Sequence, residues 1–205
     1  LYFVNDSNVI TDITPSSFTT GNADAVQNLG WNALTYGDNE FGTPRPDSGT
    51  YTPATTWSLH PWGQYLLACS NADGKIYEWQ LNTGAVAAVL SNAPTSNTAI
   101  FVTDERFVFA LGAGGVGNKV QWSDQEDNNT WSAAATNQAG SLVLQTAGNL
   151  ITAISTRGQT LLFTDIDCHA ATYQGPPYVY GINKVGDGCG IASANAAATT
   201  DTAAY

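Results

Sequence analysis

The chain has 205 residues, 43% of them hydrophobic and only 11% charged, enough apolar material to bury a core and too much for a disordered tail. Six Lys and Arg stand against 17 Asp and Glu, for a formal net charge of −11, and no basic run occurs. That balance argues against a grip on a nucleic-acid backbone, sequence-specific or not, while an acidic surface suits a wall that repels DNA.

Polarity comes mostly from Thr, Asn, Ser and Gln together with 20 Gly, a composition that favours strands and tight turns over helices. No apolar stretch of about 18 residues is present, so no membrane-spanning helix and no membrane partner are expected. Cys69, Cys168 and Cys189 are widely spaced, with no CxxC pair, and read as free, half-buried thiols, not as a zinc site or a disulfide framework. The chain contains no Met, opens on "LYFVND" without a leader pattern and ends on "TDTAAY", which resembles an interrupted strand. It is expected to be an internal fragment of a longer polypeptide.

In chain order, residues 1–19, which open with "LYFVNDSNVITDI", read as a partial blade, the last hairpin of one. Residues 20–56 form a long insertion rich in Gly, Pro, Asn and Thr, longer than an ordinary connection between strands. Its scattered aromatics, Trp31, Tyr36, Phe41 and Tyr51, either pin the loop down or contact a partner. From there a pattern repeats. "GQYLLACSNADGKIYEWQ" (Gly63 to Gln80) has a second copy in "RFVFALGAGGVGNKVQWSD" (Arg106 to Asp124) and a weaker third in "GQTLLFTDIDCHAATYQG" (Gly158 to Gly175). In the alignment of the first two, Tyr65-Leu-Leu-Ala matches Phe107-Val-Phe-Ala and Trp79 matches Trp122.

Each copy is preceded by another strand-like run ("TTWSLHPWG", "TAIFVTDER", "LITAISTRG") and followed by an apolar one ("GAVAAVLS", "GSLVLQT", "YVYGINKV"). About four short strands recur in units of roughly forty to fifty residues, the pattern of propeller blades. Adjacent apolar pairs such as Leu66 with Leu67 and Val108 with Phe109 suit strands covered on both faces. The expected fold is therefore all-β, with β-propeller-like blades of about four antiparallel strands. Complete blades are assigned to residues 57–97, 98–149 and 150–187, and the start of a further blade to 188–205.

Few residues suggest chemistry. His60 and His169 are the only histidines. Cys168 and His169 are neighbours, and neighbours on a strand point to opposite faces, which makes a poor nucleophile and base. "SDQEDNNTW" holds Asp124, Glu126 and Asp127, yet lacks the spaced Asp ladder and the glycine of a calcium loop. Its ending resembles the sialidase Asp-box, a turn that staples blade hairpins, with Asn129 in place of the glycine. "GAGGVGN" (Gly112 to Asn118) leads into a strand, whereas a phosphate-binding loop needs a helix after it. Pro176, Pro177 and Tyr178 in "QGPPYVYG" form a stiff aromatic segment, either a recognition surface or an inter-blade connection. No catalytic, metal or cofactor-binding residues are assigned, and no enzymatic activity is expected.

From "VQWSDQEDNNTWSAAATNQAGSLVLQT" through "RGQTLLFTDIDCHAATYQGPPYVYG" to "CGIASANAAA", the chain resembles a family of phage virion proteins. These are the propeller-bearing tail hub or nozzle proteins of short-tailed bacteriophages, also called packaged-DNA stabilisation proteins. The resemblance covers residues 57–205 and is densest over 120–198. It implies a structural role in the virion tail: a homo-oligomeric, six-fold ring below the portal and adaptor that extends the DNA channel, retains the genome and carries fibres or spikes. The family's N-terminal channel-forming part is not evident in the chain. Two other classes remain open, a carbohydrate-binding or glycosidase-type propeller and a cellular interaction propeller of the WD type. The latter requires Trp-Asp pairs, which are absent.

Overall fold

The computed structural model describes residues 1–25, 53–200 and 204. Trp31, Tyr36, Phe41 and Tyr51 lie outside these residues. The described chain is all-β, with four antiparallel sheets and only two single-turn 3-10 segments, at Ala113–Gly115 and Ala194–Ala196.

A two-stranded hairpin, β1 (Tyr2–Val4) and β2 (Ile10–Asp12), comes first. Three four-stranded meanders come after it. The first is β3 (Trp57–Trp62), β4 (Tyr65–Ser70), β5 (Ile76–Trp79) and β6 (Ala88–Val89). The second is β7 (Ala99–Val102), β8 (Val108–Leu111), β9 (Lys119–Trp122) and β10 (Gly140–Val143). The third is β11 (Leu150–Thr156), β12 (Gln159–Thr164), β13 (Asp167–Gly175) and β14 (Val179–Asp187). In each meander every strand pairs antiparallel with its sequence neighbours alone, mostly across short turns, while the longer loop 123–139 joins β9 to β10.

The sheets stack face to face, and the leading strands of successive meanders, β3, β7 and β11, run beside one another. The first and second meanders are therefore apolar on both faces, and the third packs on the second through one. Leu67, Cys69 and Ile76 of the first sheet meet Ile100, Val108 and Ala110 of the second. Phe107, Phe109 and Leu111 point the other way, onto Leu150, Leu162 and Ala171 of the third. On the far side of the first sheet, Ala68, Tyr77 and Trp79 are covered by Ile13 and Phe3 of the N-terminal hairpin. All four residues of β8 are buried, since that strand is sandwiched between two sheets. Tryptophans and tyrosines fill the wider gaps toward the outer strands. Trp79 stacks on Phe3 with ring centroids 4.9 Å apart, and Tyr180 lies edge-on to Phe109 at 4.8 Å.

The register corrects one detail of the repeat. Leu67 pairs with Glu78, whereas its counterpart Phe109 pairs with Trp122. Trp122 thus takes the place of Glu78, not of Trp79, and the two tryptophans fill different gaps. The side of the second sheet that corresponds to Trp79 is filled by Trp131, buried against the first sheet.

Beyond β14 the chain continues along the β12–β13 end of the third sheet. The Gly190 amide donates to the Ile166 carbonyl and the Ile191 amide to that of Thr164. A single β-bridge joins Thr199 to Ala204.

Candidate interaction surface

β13 and β14 are the longest strands described, and their hairpin carries Pro176, Pro177 and Tyr178 at its tip. The Tyr178 side chain is 77% exposed. Pro176 closes one side of an open pocket of about 430 Å³, whose other walls include Asp124, Glu126, Asn137 and Gln138. The hairpin is braced from below. The Tyr173 hydroxyl donates to Gln138 Oε1 at 2.8 Å, and Tyr180 Oη lies 3.0 Å from Thr103 Oγ1 and 3.2 Å from Glu105 Oε2. Burial first of all, with the nearby Glu105 carboxylate, pushes the Tyr180 phenol well above its ordinary pKa, so it stays a neutral hydrogen-bonding group. The tip is thus an exposed apolar-aromatic knob on a rigid base, beside an acidic wall.

The acidic segment at this wall is itself a structural turn. Asp127 Oδ1 accepts from the Asn129 amide at 2.8 Å and its Oδ2 from Thr130 Oγ1 at 2.7 Å. Asp124 Oδ1 accepts from the amides of Gln125 and Gln138. Glu126 turns outward to Arg106, whose guanidinium lies 4.2 Å above the Trp62 ring. Trp131 is buried and donates to the Asn128 carbonyl at 2.7 Å. The carboxylates are therefore engaged separately, and among the described residues no group of three or more His, Cys, Asp or Glu is gathered to hold a metal ion.

The glycine loop after β8 is tied down as well. The Gly114 amide donates to the Thr95 carbonyl and that of Gly115 to Ser96, so these amides fasten the second sheet to the end of the first and do not point at a ligand.

A polar network lies beneath the third sheet, joining Asp167 and His169, close together in "DIDCHA", to Thr164 and Lys184, which the sequence does not connect to them. Asp167 is buried, and its Oδ1 accepts from Thr164 Oγ1 at 2.6 Å and lies 3.2 Å from His169 Nε2. Its Oδ2 meets Lys184 Nζ at 2.9 Å. Burial alone would raise the carboxyl, but hydrogen bonds from Thr164, Lys184 and Thr146 and the field of His169 outweigh it and hold the group well below the usual carboxylate range. His169 is thus oriented by Asp167 on one face of β13. The neighbouring Cys168 thiol, pushed up to about 11 mainly by burial, belongs to the other face. The pair does not form a dyad. Sequence offers no signal for the Asp167–Lys184 contact, which depends on the register shift of β14 between Cys168 and His169.

The chain matches no protein-family model and no curated protein sequence.

Proposed function

We propose that this chain is a structural component of a phage virion tail, part of a hub or nozzle ring below the portal and adaptor that conducts and retains packaged DNA and supports fibres or spikes. The observation that carries this reading is what the resembling residues do. In "WSD", Ser123 Oγ accepts from the Val108 amide and Asp124 links its loop to Gln138. In "RGQTLLFTD", Thr164 Oγ1 caps the β12–β13 turn by accepting from the Asp167 amide, and Asp165 Oδ1 accepts from the Asn149 amide. The "GPP" stretch forms the hairpin tip that presents Tyr178. Ser123, Asp124 and Thr164 hold the turns of their own sheets, and Asp165 ties the third sheet to the chain that leads into it, roles that suit a load-bearing structural part.

The charge supports the same role. With a formal net charge of −11, the chain has no electrostatic reason to hold DNA, which suits a subunit that lies outside the channel wall. The Tyr178 knob supplies the kind of rigid aromatic anchor that protein interfaces use. In this reading its partner is a neighbouring virion subunit, either another copy of the chain or an adjoining tail protein.

Mass spectrometry of purified intact particles tests the assignment. The chain is expected at a copy number in a fixed ratio to the portal protein. Infectious particles free of the chain overturn the proposal.

A further inference from the structure

Cys168 and Cys189 are separated in sequence but not in space. Cys168 pairs with Gly186 across the β13–β14 ladder. Side chains of such a pair leave the sheet on the same face, with Cβ atoms roughly 5 Å apart. Gly186 has no side chain, and the Cys189 sulfur lies 2.6 Å from the point at which its Cβ would stand. The Cys189 thiol therefore fills the vacant position directly beside Cys168. The two thiols also feel each other electrostatically, since a charge on Cys189 disfavours ionisation of Cys168. Cys189 is exposed and Cys168 is buried, so an incoming reagent meets one thiol first and finds the second behind it.

We propose that Cys168 and Cys189 form a redox-active thiol pair that closes to an intrachain disulfide by exchange with a small-molecule disulfide such as oxidised glutathione. The Cys189 thiolate attacks one sulfur of the oxidant, forms a mixed disulfide and expels one glutathione thiolate. Cys168, deprotonated as it reacts, attacks the Cys189 sulfur and expels the second. Two electrons pass to glutathione, the two thiol protons go to the released thiolates, and one Cys168–Cys189 bond remains. Two features hold the exposed thiol in place. The Gly190 and Ile191 amides are bonded to Ile166 and Thr164, and Gly190 packs so closely on the Asp165 backbone that no side chain fits there. The bond fastens the chain beyond β14 to the core of the third sheet. Cys69, buried in the contact between the first and second sheets, takes no part.

The test is incubation of the folded chain with oxidised glutathione, and then tryptic mapping without reduction. Cleavage at Lys184 separates the two cysteines. The expected result is a cross-link between the peptide holding Cys168 and the one that begins at Val185, with loss of two hydrogens and with Cys69 unmodified. Cys168→Ser should instead retain a stable glutathione adduct on Cys189, and Cys189→Ser should leave Cys168 unreacted. Gly186→Ala, whose methyl displaces the Cys189 sulfur, should slow closure at least several-fold while far-UV circular dichroism stays that of the parent. A glutathione adduct that persists on Cys189 of the unaltered chain, or linkage of Cys189 to Cys189 of a second chain in place of the internal bond, would overturn the proposal.

Discussion

The carboxylate of Asp167 and the ammonium of Lys184 meet at 2.9 Å, with the first nearly inaccessible to water and the second reaching in from the surface. Asp167 also receives Thr164 and faces His169, so its charge is fully partnered. A carboxyl held below its ordinary range stabilises the fold at pH values above the unfolded pKa, near 4, and that contribution is lost as pH falls through the folded value. Asp167→Asn is expected to cost roughly 2–4 kcal/mol at neutral pH. The difference from the parent should shrink steadily below about pH 4. Urea unfolding at several pH values measures both. A difference that stays constant down to pH 2 would show that the Asp167 charge contributes nothing.

Phe109 is fully buried between the second and third sheets and touches both Trp122 and Tyr180. Phe109→Ala should destabilise by about 3–5 kcal/mol, through lost burial and the cavity left behind. Tyr178→Ser, at the exposed hairpin tip, should change stability by less than about 0.5 kcal/mol. Equal effects of the two in denaturant unfolding would contradict the stacked-sheet core.

Gly74 and Gly158 both adopt positive φ, at +62° and +83°. A methyl on Gly158 meets nothing within 4 Å, whereas one on Gly74 runs into the backbone of Ser96 and Asn97. Gly158→Ala should therefore cost only the left-handed backbone strain, about 1 kcal/mol. Gly74→Ala should cost that and more, because it separates the first sheet from the start of the second. Thermal unfolding of the two variants decides it, and a smaller loss at Gly74 than at Gly158 would refute the close approach.

Tyr178→Ser also probes the proposed interface. The variant is expected to fold normally yet to reduce incorporation into particles at least tenfold, about 1.4 kcal/mol per subunit contact. Quantitative mass spectrometry of particles made with the variant reads this directly. Normal incorporation would remove the hairpin tip from the interface.

The all-β class and the four-stranded period were legible because alternation, turn residues and paired apolar positions are local signals. Face assignment was not. Trp79 and Trp122 look equivalent in sequence, but a shift of one residue on a strand moves a side chain to the opposite face, and Trp122 faces the third sheet while Trp79 faces the N-terminal hairpin. That the second sheet uses Trp131 for the gap on its other side could not be seen from spacing, because the intervening loop carries it there. The Asp167–Lys184 and Cys168–Cys189 pairs were hidden for a related reason. Both depend on where β14 pairs with β13, including an irregularity next to Cys168, and register is a property of two strands at once.

The proposed role is tested most directly by electron cryo-microscopy of the native assembly. The account predicts a six-fold ring stacked on a larger adaptor ring, with the sheets of this chain splayed outside the channel wall and the Pro176–Tyr178 tip against a neighbouring subunit. A lone closed propeller, free of any particle, would contradict it.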